Sequence, residues 1–218
     1  MDSDNYIPAL KYAWLTRFYD QVVDVTTRES TFRQKLLEQA DIQPGTQILD
    51  LACGTGTFVM MLKERHPEVM VTGLDGDPII LEMARKKVQA NGLRVSFDEG
   101  MSFALPYEAG EFDVVFCSLF FHHLHRENKR RTMEEVMRVL KPGGAFHVCD
   151  WGRPVNFYAK IMFNAVRLLD GFKVTQDNVD GLLKSLIEEA GFCEVSEGGH
   201  VGTALGTLDL ISAKRSLF

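Results

Sequence analysis

The stretch Ile48-Leu49-Asp50-Leu51-Ala52-Cys53-Gly54-Thr55-Gly56-Thr57-Phe58 restricts the fold of this chain more than any other. An apolar run ends on an acid, a turn of small residues with two glycines follows, and a helix-compatible segment comes next. That order reads as a strand, a tight loop and a helix start built around a small ligand. Glycine lets a backbone turn sharply and approach a ligand closely, and a helix start presents N–H groups without intrahelical partners. Two nucleotide-loop readings fit poorly. The dinucleotide pattern G-x-G-x-x-G takes Gly54 and Gly56 but puts Val59 at its third position, where close helix–strand packing asks for Gly or Ala. A P-loop needs Gly-Lys-Ser/Thr at its end, and Thr57-Phe58 stands there instead.

A second apolar run, Val69-Met70-Val71-Thr72-Gly73-Leu74, also ends on an acid, Asp75. Asp77 suits a helix N-cap and Pro78 the first helical position. Asp75 then falls at the carboxyl end of a strand beside the first, where open α/β sheets bind ligands. A carboxylate there can accept both hydroxyls of a ribose; the plainer alternative is a turn cap.

Three more segments follow in order: Phe97-Asp98-Glu99-Gly100-Met101-Ser102-Phe103-Ala104-Leu105-Pro106, then residues 112–124 running into His122-His123, then Leu140-Lys141-Pro142-Gly143-Gly144. From about Tyr19 to Asp150 the ordered set resembles the class I S-adenosylmethionine-dependent methyltransferases, and within them the small ubiquinone/menaquinone C-methyltransferase-like group. The resemblance implies an α/β fold with a Rossmann-like seven-stranded sheet, mostly parallel, one antiparallel strand near the C-terminus and helices on both faces. It implies S-adenosylmethionine as cofactor, with Asp50, Ala52 and Gly54 around its methionine end and Tyr19 and Cys53 also among the cofactor-binding residues. Asp75 would hold the ribose, Gly76 and Asp77 would lie near the adenine, Met101, Ser102 and Phe103 would line the adenine pocket, and Cys117 and Ser118 would pass beside the methionine portion. Two positions depart from the family pattern. Ala52 stands where Gly is common, and Met101 stands where an Asp commonly accepts a bond from the adenine amino group, which shifts adenine recognition to backbone, Ser102 and apolar contact.

With 218 residues and 45% hydrophobic content the chain fits one α/β domain. We divide it into an N-terminal helical cap (1–42), a cofactor-binding core (43–150) and a substrate-side helix with the sheet closure (151–218). A net charge of −6 argues against a general affinity for nucleic acid. The cluster Arg126, Lys129, Arg130 and Arg131 reads as a solvated helix start. Ser118-Leu119-Phe120-Phe121 lacks the Pro-Pro-aromatic motif that amino-methylating nucleic-acid enzymes place after that strand. No apolar run is long enough to span a membrane. Asp2 and Asp4 stand where a signal peptide would be basic, and the four cysteines show no C-x-x-C spacing, so a reduced cytoplasmic setting is expected. His122, His123 and His125 lack separated partner ligands, so no metal is expected.

Strands are expected at residues 47–52, 70–75, 93–97, 112–118, 144–150, 192–198 and 206–213, the last two joined through Glu197-Gly198-Gly199-His200. Met133, Val136, Met137 and Leu140 keep helical spacing; so do Val179, Leu182, Leu183, Leu186, Ile187 and Ala190, with Asn178 as N-cap and Gly191 as stop.

The acceptor side is less explicit. Tyr6, Tyr12, Trp14, Phe18 and Tyr19 could form a lid or simply pack. The apolar segment from Pro154 to Phe172 could cap a pocket, pack on the sheet or form a dimer face. Both favour a small apolar or aromatic acceptor. His123 and Asp150, which follow strands at the ligand edge, are the candidate bases, although methyl transfer can proceed by positioning alone. Two rival readings stay open: a non-catalytic cofactor-binding regulatory protein, and a thiolate-dependent methyltransferase for a soft element using Cys53, Cys117, Cys149 or Cys193.

Overall fold

Near-continuous apolar runs such as Gln47–Leu51 and Phe112–Ser118 are what a parallel sheet covered on both faces requires. The computed structural model, which describes residues 28–155 and 157–217, places them at the centre of such a sheet. In chain order the elements are α1 (Glu29–Glu38), β1 (Gln47–Leu51), α2 (Thr57–Arg65), β2 (Met70–Asp75), α3 (Pro78–Ala90), β3 (Ser96–Glu99) and β4 (Phe112–Ser118). A 3-10 turn (Phe121–His123), α4 (Arg126–Val139), β5 (Leu140–Trp151), α5 (Phe157–Asp170), α6 (Phe172–Val179), α7 (Leu183–Glu189), β6 (Cys193–Gly202) and β7 (Thr207–Lys214) complete them. The sheet order is β3-β2-β1-β4-β5-β7-β6. Strands β1 to β5 are parallel, and β7 runs antiparallel to both β5 and β6, so one strand is reversed, as expected.

Two apolar layers hold the sheet. Phe32 and Leu36 of α1, Phe58 and Leu62 of α2 and Leu81 of α3 pack on one face with Ile48 and Phe116. Met133 and Val136 of α4 and Ile187 of α7 pack on the other with Leu49 and Val115. The carboxyl edge is tight. A Cβ at Gly73 would lie 2.9 Å from Cys53 Sγ and from the Phe97 ring, so β2 and the loop after β1 approach each other only because that residue has no side chain.

Four expectations are corrected. The helix expected from Asn178 is two helices. Asn178 is buried inside α6, where its side chain bonds Trp151 O at 2.9 Å and Lys129 Nζ at 2.9 Å, and Gly181 at φ +71° separates α6 from α7. Glu197-Gly198-Gly199-His200 does not link the last strands; it lies within β6 as a register shift, with Gly199 at φ +101°, and the turn falls at residues 203–206, closed by Thr203 N–H to Gly206 O at 2.8 Å. The third strand begins at Ser96 rather than residue 93, because α3 ends in a turn through Gly92 at φ +67°. Lys129 is wholly buried rather than solvated. Tyr6, Tyr12, Trp14, Phe18 and Tyr19 lie outside the described residues, so of the N-terminal cap α1 is what can be placed. Among the described residues no helix is long and apolar enough to cross a membrane.

Candidate functional site

The carboxyl ends of β1, β2, β4 and β5 converge on one edge. Asp50 sits near the end of β1 between Gly73 of β2 and Phe116 of β4 and is 2% exposed. Its Oδ2 has no hydrogen-bond partner among the described residues. Burial raises its pKa to about 7, the Arg33 guanidinium pulling it down and Asp75 pushing it up. Arg33, on α1, pairs with Glu29, and its Nε is buried without a partner among the described residues. An unpaired buried carboxylate oxygen and an unpaired buried guanidinium N–H therefore serve the same edge. Each such group is costly unless a ligand satisfies it.

The loop after β1 is shaped by three left-handed residues: Ala52 at φ 59°, Gly54 at 54° and Gly56 at 76°. Ala52, where the family pattern has Gly, keeps the glycine-like conformation at a cost of about 1 kcal/mol. The loop is tied to β2 by Cys53 N–H to Leu74 O at 2.9 Å and by Gly54 N–H to Asp75 Oδ2 at 3.0 Å. Asp75 Oδ1 accepts the Asp77 N–H at 3.0 Å. Burial raises the Asp75 pKa against those backbone bonds. Each oxygen of Asp75 keeps lone pairs for a ligand. Asp77 caps α3 as expected, its Oδ1 accepting from Ile79 N–H at 2.8 Å and Ile80 N–H at 3.4 Å, and Gly76 lies between these two acids.

The expected adenine wall is partly diverted to the fold. Met101 bridges to Ala104, and Phe103 lies under the Arg131 guanidinium at 5.0 Å. The Ser102 hydroxyl is buried against Thr132 Oγ1 at 2.8 Å, which engages the group expected to face the base. Cys117 is fully buried in the second apolar layer, whereas Ser118 is half-buried at the end of β4. Leu119 then takes φ 52° and donates its N–H to Cys149 O at 2.8 Å, turning the chain along the edge.

Asp150, fully buried at the end of β5, accepts four hydrogen bonds. Oδ2 takes Phe120 N–H at 3.1 Å and His122 N–H at 3.3 Å; Oδ1 takes His122 Nδ1–H at 2.6 Å and Trp151 N–H at 2.7 Å. Burial pushes the Asp150 pKa up, but His122 and the backbone donors hold it below the ordinary carboxylate range. The ring that meets Asp150 is thus that of His122, whereas the candidate bases are His123 and Asp150 themselves. Burial lowers the His123 pKa to about 3, helped by the adjacent His122 ring, and so weak a base is poorly suited to take a proton at neutral pH. Beneath this pair, the Lys129 ammonium bonds Val174 O at 2.9 Å, Asn178 Oδ1 at 2.9 Å and Asp177 Oδ2 at 3.3 Å, and Arg126 holds Asp177 at 2.6 Å. Burial pushes the thiols of Cys53, Cys117 and Cys149 well above the usual range, which opposes thiolate chemistry at neutral pH. Cys193 is exposed and bonds Lys214 O at 3.3 Å. Among the described residues no group of side chains could hold a metal ion.

A Methyltransferase domain family model matches residues 48–144. An uncharacterized methyltransferase of Synechocystis sp. is 30% identical over 210 residues, which cover 94% of this chain and 92% of that protein. A demethylmenaquinone methyltransferase of Thermus thermophilus is 38% identical over 123 residues, covering 56% of this chain and 55% of that protein, so this chain matches about half of its length. Among solved structures, an S-adenosylmethionine-dependent methyltransferase of Methanosarcina mazei shares the fold with a TM-score of 0.67 at 21% identity, covering 81% of this chain and 95% of that one.

Proposed function

This chain belongs to the S-adenosylmethionine-dependent methyltransferases, and from that premise we propose that it methylates a small apolar or aromatic acceptor. The observation that carries the acceptor class is the saturation of Asp150: the carboxylate closest to the acceptor side has both oxygens engaged, and Trp151 and the Phe120–Phe121 pair stand beside it. Phe121 and Trp151 are themselves buried, so the surface left at this edge is the half-buried Phe120 ring rather than a free charge. Relatives named demethylmenaquinone methyltransferase support the same class.

When bound, the cofactor supplies a methyl group on a positively charged sulfur. Asp50 Oδ2 is suited to its ammonium group and Arg33 to its carboxylate, a role that sequence patterning does not assign to Arg33. Asp75 is suited to the ribose, with Gly54 held by the same carboxylate. Positioning by these groups can lower the barrier by about 7–11 kcal/mol, against roughly 3–5 kcal/mol for a general base. With Asp150 saturated and His123 a weak base, positioning is the reading that the site supports, and Asp150 acts by holding the turn that carries His122. The net charge of −6 favours a small-molecule acceptor over nucleic acid. A panel of apolar aromatic and polar acceptors, scored by release of S-adenosylhomocysteine, tests the class. Turnover of polar acceptors alone would overturn it.

Asp50 predicts a pH dependence. Its folded pKa, about 7, lies above the ordinary 3.8. The resulting stability is therefore fully present below about pH 4 and is lost as pH rises through about 7 in the free protein. A cationic amine binds the ionised form, so cofactor affinity runs the other way. Calorimetry should show binding about tenfold weaker at pH 6 than at pH 8, and Asp50→Asn should flatten that slope.

A further inference from the structure

Helix α5 is apolar on two sides. Phe163 is buried against Trp151, with ring centroids 5.1 Å apart. The opposite side carries Phe157 (77% exposed), Ile161 (51%) and Leu168 (76%), which helical spacing places in one stripe, with Tyr158 and Phe172 beside it. Soluble surfaces rarely leave so contiguous an apolar patch uncovered. Lys160 and Arg167, seven residues apart, run along one flank of the stripe, and Arg153 precedes the helix. None of the three is paired with a carboxylate among the described residues: Arg153 donates to Asp180 O, and Arg167 to Gln176 Oε1 while covering the Phe172 ring. Residues 153–173 hold four basic side chains and one acidic one, in a chain whose net charge is −6.

We propose that this face of α5 docks on the surface of an anionic phospholipid bilayer. Exposed aromatic and aliphatic residues beside unpaired cations, on a helix of low net charge opposition, are what a helix lying in the headgroup plane requires. At 14 residues, about 21 Å, the helix is too short to span the hydrocarbon core, so it lies on the membrane and does not cross it. A second copy of the chain fits less well. An antiparallel two-fold pairing of the helix would bring the same patch from each subunit together and set Lys160 of one copy toward Arg167 of the other, like charge against like charge. The proposal rests on this face alone and not on the acceptor class.

Vesicle flotation of the full chain, which uses no acceptor, tests it. The protein should float with vesicles of phosphatidylcholine and phosphatidylglycerol, more weakly as salt is raised, and hardly at all with phosphatidylcholine alone. Phe157→Ser with Leu168→Ser, and separately Lys160→Glu, should each weaken binding to the anionic vesicles about tenfold or more while cofactor affinity and Tm stay at the parent values. Absence of flotation, or variants that float as well as the parent, would overturn the proposal. So would a dimer in light scattering that Phe157→Ser with Leu168→Ser dissolves.

Discussion

Replacing Asp75 by Ala should weaken S-adenosylmethionine binding by about 10²–10⁴-fold, since two charge-assisted hydrogen bonds of about 1.5–3 kcal/mol each would be lost. The same carboxylate holds the Gly54 N–H at 3.0 Å and the Asp77 N–H at 3.0 Å, so the variant also frees the loop that the cofactor meets. Asp75→Asn keeps an acceptor but not the charge, and should fall between the two. Calorimetric titration checks the series, with Tm of the free protein separating a lost ligand contact from a collapsed loop. Affinity within about threefold of the parent, less than 1 kcal/mol, would place the ribose elsewhere.

The largest effect on stability is expected at Lys129. Its ammonium is the shared donor for Val174 O, Asp177 and Asn178, and burial lowers its pKa while Asp177 pulls it back up. Lys129→Met leaves those acceptors buried without it, and removal of one partner from a buried charge cluster costs about 3–5 kcal/mol. For a chain of this size each kcal/mol moves Tm by about 2–4 °C, so a fall of about 10 °C is expected in calorimetry. Adding Asp177→Asn should restore only a small part of the loss, because Arg126 still pairs with that carboxylate once the ammonium is gone. Purely additive effects would mean that the two residues do not act as one unit.

The parts of the fold that depend on neighbours in sequence were readable there. Asp77-Pro78 caps α3, the glycines after Asp50 adopt left-handed turns, and β4 follows its apolar run from Phe112 to Ser118. What was not readable is set across distance. His122 and His123 share one local pattern, and only the turn after β4 decides which ring meets Asp150, 28 residues on. Lys129 sits among solvated arginines in sequence and is buried by partners 45 to 49 residues away. Asn178 has the chemistry of a cap, yet its side chain is claimed by Trp151 and Lys129. Gly198 and Gly199 read as a turn because glycine serves bulges and turns alike. Arg33 has no local signature; its place near Asp50 comes from how α1 packs.

The reversed strand has a consequence for biosynthesis. β7 lies between β5 and β6, and both of their inner edges are completed by residues 207–214. While the ribosome is still making that segment, β5 has already emerged with its row of N–H and C=O groups unpaired on one side. An open edge of this kind is a template for other chains, and slow long-range pairing prolongs its exposure. The interval between synthesis of Trp151 and synthesis of Lys214 is thus when a nascent chain is most prone to aggregate, and a chaperone that shields the β5 edge over that interval should raise the yield of folded protein.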